Sequence, residues 1–127
     1  MAADYFLQIT GVAGESTDAK HKGWIDVEAW SWGETNAGSV SAGGGAGAGK
    51  VQPQDLQIAT RTSKASPKLL LACATGQHMK EAKLVGVHAG PTQQEYITVS
   101  ITDVLISSYQ TSGSEGDIAM DQVSLNL

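Results

Sequence analysis

Basic residues are scarce in this sequence, and they are scattered. Eight lysines and arginines stand against thirteen aspartates and glutamates, which gives a formal net charge of −5. Because no basic stripe is present that could neutralise several phosphates, we expect no nucleic-acid partner. For the same reason, and because no apolar run approaches the roughly 20 residues that span a bilayer, we expect no membrane insertion.

Cysteine is nearly absent, and so is any sign of a targeting segment. The single cysteine, Cys73, excludes an internal disulfide. The opening MAADYFLQIT has no basic segment followed by an apolar run, so no signal peptide is visible. We therefore expect one domain, over 1–127, that folds in the cytoplasm or is exported by a route that reads no N-terminal signal.

Glycine, by contrast, is abundant, and six of the fifteen glycines fall in the low-complexity segment 35–50. Residues Gly44 to Lys50 fit the phosphate-binding pattern G-x-x-x-x-G-K. That pattern needs a following Ser or Thr and a helix, whereas here Val51 follows and VQPQDLQIAT alternates with a period of two. We interpret 35–50 as an extended Gly-rich loop and not as a nucleotide site.

No set of side chains resembles a catalytic or metal centre. The three histidines, His21, His78 and His88, lack the spacing of a metal site, and we interpret them as loop or strand-surface residues. Cys73 lies on the apolar stripe of a predicted helix, which is typical of a small core residue rather than a nucleophile. We expect no enzyme activity, no cofactor and no metal.

Three tryptophans and two carboxylates share one face of the alternating stretch 24–33. Trp24, Trp30 and Trp32 could stack against sugars, although core packing is the simpler explanation. Asp26 and Glu28 could form an acid–base pair, although a solvated strand face is simpler. This face leaves a small-ligand or carbohydrate-binding β-barrel module as the alternative function.

Alternation with a period of two predicts strands over most of the chain. The predicted strands cover 4–10, 24–33, 51–61, 80–89, 94–109 and the segment from 120 onward. One helix is predicted at about 64–75, with Ser63 or Ser66 as its cap, Pro67 in its first turn and Gly76 at its end. The sequence therefore predicts a mainly β fold, a small two-sheet β-barrel with one short flanking α-helix.

The last two predicted strands each carry an irregularity. In 94–109, the odd-numbered positions from Ile97 to Leu105 share the apolar face, but Asp103 interrupts it, so we expect Asp103 near a turn or a partner. In the final segment, the alternation still runs at Leu127. We expect that this C-terminal strand is truncated.

Several stretches, in a fixed order, carry a specific resemblance to a known family. They are GVAGESTD, HKGWIDVEAWSWG, SKASPKLLLACATGQHMKEAKL, QQEYITVSITDVLISSYQ and DQVSLNL. The chain, from about Asp4 to Leu127, closely resembles the haemolysin-coregulated protein (Hcp) family, the tube subunit of bacterial type VI secretion. Members of the family usually continue past the SLN motif, which agrees with the expected truncation.

The resemblance implies a β-barrel that assembles into hexameric rings, which stack into an exported tube. It also implies four kinds of partner, namely further copies of the chain, a trimeric spike protein, a contractile sheath and small effector proteins carried or shielded in the lumen. Such a protein is assembled in the bacterial cytoplasm, is secreted without a signal peptide and is not an enzyme. These are the expectations that the family carries.

The resemblance also directs attention to two groups of residues. The segment after WSWG would contact a neighbouring subunit or the next ring, through Ser41, Gly43, Gly44, Gly45, Gly47, Gly49 and Lys50. Candidates for lining the lumen and contacting effectors lie on polar or small-residue faces and are Ala29, Ser31, Thr98, Ser100 and Thr102. The sequence allows equally that these last faces meet outer solvent.

Overall fold

The structure is a computed structural model that describes residues 3–36 and 51–127. Within these ranges the elements are β1 (Ala3–Ile9), β2 (Ile25–Val27), β3 (Ala29–Ser31), β4 (Glu34–Asn36), β5 (Val51–Pro53), β6 (Leu56–Arg61), α1 (Ser66–Thr75), β7 (His78–His88), β8 (Gln94–Ser112) and β9 (Met120–Asn126). The fold is mainly β, with two sheets and, in the described ranges, one helix. No helix there has both the length and the apolar character to cross a membrane.

Seven strands form one antiparallel sheet in the order β2-β1-β7-β8-β9-β6-β3, and β4 pairs with β5 in a second, two-stranded sheet. The strands at the two ends of the large sheet, β2 and β3, are separated in sequence only by Glu28. The sheet must therefore curl until its ends meet. No ladder joins β2 to β3 in the described chain; instead the Glu28 amide donates a hydrogen bond to the Ala59 carbonyl at 2.8 Å.

The curled sheet encloses one main core between two layers, one formed by β2, β1, β7 and the first half of β8, and the other by the second half of β8, β9, β6 and β3. Strand β8 belongs to both layers, because residues up to Leu105 pair with β7 and residues from Leu105 onward pair with β9. The core side chains come from both layers and from α1, and they include Leu7, Ile9, Leu56, Ile58, Leu69, Leu84, Val104, Ile106, Val123 and Leu125. A smaller cluster of Phe6, Val85 and Val87, with Trp24 packed on it, lies on the opposite face of β1 and β7.

Asp103 shifts the side-chain alternation of β8. Its φ of 54° makes it the only non-glycine residue with a positive φ in the described ranges. Ile101 is buried before it, and Val104 and Ile106 are buried after it, so the inward phase moves by one residue and Leu105 is only half-buried. The prediction that Leu105 shares the apolar face was therefore wrong.

Helix α1 begins two residues later than predicted, and its cap differs. Ala65 occupies the N-cap position without a side-chain hydrogen bond to the helix, while Pro67 lies in the first turn and Gly76 ends the helix with a left-handed φ of 68°. Ser66 does not cap the helix, because its hydroxyl donates to Asp121 Oδ2 at 2.5 Å. A contact with a distant strand thus replaces the expected local cap.

Three other predicted boundaries differ in the structure. The predicted strand 24–33 divides at Glu28 into β2 and β3, and 51–61 divides into β5 and β6. Residues Thr35 and Asn36, predicted as loop, belong to β4. In the first two cases, the sequence continues to alternate, but the hydrogen-bond partner changes from one strand to another.

Candidate functional surface

The central part of the outer face of β3, β6, β9 and the second half of β8 is polar and uncharged, and the exposed Arg61 lies on the same face at the end of β6. Cross-strand pairing aligns two rows of side chains on this face. The first row is Ala29, Ala59, Gln122 and Gln110, and the second row is Ser31, Gln57, Ser124 and Ser108. The Ser124 hydroxyl donates to Gln57 Oε1 at 2.7 Å, which ties two neighbouring strands together on this face. Neither row contains a charged side chain, so these two rows are suited to water and do not attract or repel a solute by charge.

The predicted lumen candidates divide between the two layers. Ala29 and Ser31 are exposed on β3 and belong to the uncharged rows. Thr98, Ser100 and Thr102 are also exposed, but they lie on the half of β8 that pairs with β7, beside Val85, Lys83 and Glu81 respectively. Because the two layers pack face to face around the core, their outer faces point away from each other. The two β3 residues therefore lie together on one layer, and the three β8 residues lie together on the other layer. The structure does not bring these two groups onto one surface.

Sequence reasoning missed most of the uncharged rows. Gln57, Ser108, Gln110 and Gln122 are exposed on the same face as Ser31. Their alternation with buried neighbours was visible in the sequence, but the pairing partners that bring them onto one surface were not. The predicted ring-stacking residues from Ser41 to Lys50 lie outside the described residues.

The glycine run is followed by a strand and not by a helix. Val51–Pro53 form β5, which pairs with β4. A P-loop requires a helix to begin directly after the Lys, since the helix N-terminus supplies part of the phosphate site. The residues after Lys50 therefore do not provide the helix that a P-loop needs.

His21 is buried in the structure, which corrects its prediction as a loop or surface residue. Its ring, 1% exposed, stacks on Phe6 at a centroid distance of 4.6 Å. Nδ1 lies 2.7 Å from Asp18 Oδ2, and Nε2 lies 2.9 Å from Glu95 Oε2. Because carboxylates only accept hydrogen bonds, both contacts are satisfied when both ring nitrogens donate. His21 thus clamps the loop before β2 to the beginning of β8.

The carboxylate of Asp18 is the more buried end of this clamp. Besides His21, Gln93 Nε2 donates to its Oδ1 at 2.8 Å, and the Lys20 amide donates to Oδ2 at 3.2 Å. The hydrogen bond from Gln93, followed by that from His21, lowers the pKa of Asp18 below the ordinary 3.8. The clamp therefore holds a charged group in a largely covered site.

Asp121 anchors the beginning of α1 to β9. It is 1% exposed and accepts hydrogen bonds from Ser66 Oγ at 2.5 Å and from Thr62 Oγ1 at 2.8 Å. Burial by itself raises the pKa of Asp121, but the hydrogen bonds, led by those from Ser66 and Thr62, outweigh it and bring the pKa below the ordinary 3.8. This group is structural, since its partners are all internal hydroxyls.

The tryptophans do not form one common face. Trp24 packs on Phe6, Val85 and Val87, whereas Trp30 packs against the main core, with its ring 5.8 Å from that of Tyr5. The three-tryptophan face on which the carbohydrate-binding alternative depended is therefore absent from the described chain. Trp32 alone of the three is exposed, at 44%.

The carboxylate pair considered for acid–base chemistry is also engaged differently. Glu28 pairs with Arg61 at 2.6 Å, and both side chains are largely exposed. Burial raises the pKa of Asp26. No three His, Cys, Asp or Glu side chains in the described part of the chain are grouped so that they could hold a metal ion.

The chain is similar to proteins of one family over almost its whole length. The family model described as "Type VI secretion system effector, Hcp" matches residues 6–127. Protein hcp1 of Pseudomonas aeruginosa is 45% identical over 129 residues, which cover 100% of this chain and 80% of that protein.

Solved structures show the same fold. The crystal structure of Hcp1 from Salmonella typhimurium has a TM-score of 0.83 at 33% identity, over 99% of this chain and 81% of that one. A type VI secretion system effector from Yersinia pestis has a TM-score of 0.80 at 33% identity, over 97% and 82% of the two chains. The chain belongs to the Hcp family of type VI secretion proteins.

Proposed function

We propose that this chain is the structural subunit of a type VI secretion tube, in which it forms hexameric rings that stack and carry or shield small effectors in the lumen. Membership of the Hcp family supports this role. A closed ring needs a heterologous interface between two different surfaces of the subunit. In the described chain, the outer edges of the two-stranded sheet of β4 and β5 have no strand partner, and unpaired edges are natural sites of association.

The two uncharged rows on the outer face of β3, β6, β9 and β8 are the observation that supports the channel assignment. A tube that conducts different effectors must release each of them, and the two rows without charged side chains provide no strong ionic contact over the central part of this face. We place Ser31 and Ala29 on the channel wall. Thr98, Ser100 and Thr102, on the opposite layer, then face away from the channel.

The loop from Ser41 to Lys50 is proposed as a contact to the neighbouring subunit or the next ring. Its glycine-rich sequence costs on the order of 1 kcal/mol of ordering entropy per residue on docking, so stacking through it should be weak and reversible. The remaining proposed partners are the spike and the sheath, and the protein is proposed to be assembled in the cytoplasm and secreted without enzymatic activity of its own.

Native mass spectrometry and negative-stain imaging of the purified chain test the ring. A sixfold mass with ring-shaped particles is expected, whereas a monomer at all concentrations would contradict the proposal. Deletion of Gly43 to Gly49 should abolish stacking and leave single rings. Stacks that persist after this deletion would remove the loop from the proposal.

Paired cysteine variants test the channel face. Ser31→Cys and Thr98→Cys, each in a Cys73→Ala chain, are treated with a large polyethylene glycol maleimide as single rings and as stacked tubes. Stacking should protect the cysteine at position 31, because the reagent then enters only from the tube ends, and should leave position 98 reactive. Protection of position 98 alone would place the opposite layer on the channel.

A further inference from the structure

A groove of about 430 Å³ lies where the two-stranded sheet joins the main sheet. Its lining residues are Ser31, Trp32, Pro53, Gln54, Asp55 and Gln57. Two hydrogen bonds fix its shape, because the Gln54 amide donates to the Gly33 carbonyl at 2.9 Å and Trp32 Nε1 donates to the Gln54 carbonyl at 2.9 Å. The groove is thus built by contacts between two segments that are distant in sequence.

Trp32 presents a fixed aromatic surface in this groove. Its only polar atom is already used by the Gln54 carbonyl, and the side chain remains 44% exposed. Trp24 and Trp30, in contrast, are partly buried by packing. A held and exposed indole is a ready surface for a planar or cationic group, since tryptophan offers the strongest cation–π face among the side chains.

Asp55 places a rigid carboxylate in the same groove. Ser107 Oγ donates to its Oδ2 at 2.5 Å, and Asn126 Nδ2 donates to its Oδ1 at 2.8 Å. Both donors are neutral, and in the described part of the chain no Lys, Arg or His forms an ion pair with Asp55. Each carboxylate oxygen can accept a second hydrogen bond, so Asp55 can still accept hydrogen bonds from a charged donor.

We propose that the groove binds an arginine side chain of a partner protein, with the guanidinium stacked on Trp32 and hydrogen-bonded to Asp55. A guanidinium is planar and weakly hydrated and donates two parallel hydrogen bonds to a carboxylate, which suits one aromatic surface beside one fixed acid. A lysine ammonium has no plane to stack and loses more hydration. The charge of the occupant complements the net charge of −5 on the chain.

The source of the arginine is an exported protein, and this part of the inference rests on the proposed function, because the groove shares Ser31 with the proposed channel wall. A single such site gives weak binding, in the millimolar range for an isolated side chain. Six copies in a ring would hold a cargo with several arginines through multivalency and would still release it.

The test uses the full chain and three small probes that differ in one property at a time. N-acetyl-arginine amide is titrated against the 15N-labelled protein, and the indole N–H resonance of Trp32, assigned with Trp32→Phe, is followed. The citrulline derivative has nearly the same shape without the charge, and the lysine derivative has the charge without the plane. We expect a saturable shift with the arginine derivative. The citrulline and lysine derivatives should each bind at least about fivefold more weakly.

The variant Asp55→Asn should weaken arginine binding by about fivefold, whereas Asp117→Asn, at an exposed turn far along the chain, should not change it. Equal shifts with arginine and citrulline on the unaltered protein, or an absence of any saturable shift, would overturn the proposal without requiring a variant to fold. Because the titration works on single subunits as well as on rings, a failure here is distinct from a failure to form a tube.

Discussion

Substitution of Asp121 by asparagine tests whether a buried carboxylate holds the helix to the sheet. Asp121 lies on β9, and its two donors, Ser66 and Thr62, lie at the beginning of α1 and just after β6. Asparagine keeps the size of the side chain but loses the charge and replaces one acceptor oxygen with a donor. The change therefore removes the charge and one of the two acceptors of the network without creating a cavity.

The expected loss in the free energy of unfolding follows from the two hydrogen bonds that Asp121 accepts. Each bond to a charged acceptor contributes about 1.5–3 kcal/mol, against about 1 kcal/mol for a neutral pair. Since Asp121 is 1% exposed, solvent does not replace what is lost. We expect a loss of about 2–3 kcal/mol at neutral pH. For a chain of 127 residues, this corresponds to a fall in Tm of about 7–11 °C.

The pH dependence provides a second, independent prediction. The pKa of Asp121 lies below the ordinary 3.8, so its contribution is complete above that value and is lost as the pH falls through the folded-state pKa. Asparagine does not titrate there, so the difference between wild type and Asp121→Asn should shrink at about pH 3. Asp18, whose pKa is also lowered, affects both proteins equally.

Urea unfolding followed by circular dichroism measures both effects, at one fixed subunit concentration because self-association would add stability. Asp117→Asn is the matched control, since Asp117 is exposed and accepts only from Ser114 at 3.0 Å, and it should change stability by less than about 0.5 kcal/mol. If Asp121→Asn is as stable as the wild type at neutral pH, or if its deficit is the same at both pH values, the reasoning is refuted.

Three further substitutions give graded outcomes in the same urea assay. His21→Ala removes a buried ring held between two carboxylates and should cost about 3 kcal/mol; a loss below about 1 kcal/mol would mean that the clamp is not structural. Gly14→Ala places a Cβ 2.3 Å from the Trp24 carbonyl oxygen, so we expect a loss of about 3 kcal/mol, and wild-type stability would contradict this packing. Glu28→Gln breaks the exposed pair with Arg61 and should cost less than about 0.5 kcal/mol, and a larger loss would show a structural role for that pair.

The strands and the helix were largely predictable because their signals are local. Alternation with a period of two is present in β1, β7, β8 and β9, and the end of α1 at Gly76 follows from the left-handed conformation that glycine adopts most readily. The order of several motifs also indicated the family to which the chain belongs. These features depend on neighbouring residues, so a single sequence contains them.

The faces of those strands were less predictable. The stretch 24–33 alternates without a break, yet Glu28 separates strands at opposite ends of the sheet order. Asp103 was recognised as an irregularity, but its positive φ and the shift in phase that follows were not. Both outcomes depend on which strand offers the next hydrogen-bond partner, and that partner lies far away in sequence.

The same distinction holds for the functional surface. The sequence by itself determined a mainly β chain that resembles the Hcp family, because alternation and the order of short motifs are properties of neighbouring positions, and it indicated only Ala29 and Ser31 of the uncharged rows. Only the tertiary structure decided that Ser31 and Thr98 lie on opposite layers, that His21 is buried, and that Trp32 and Asp55 share a groove. These relations are set by strand pairing across the whole chain, where each residue meets partners that local pattern does not specify.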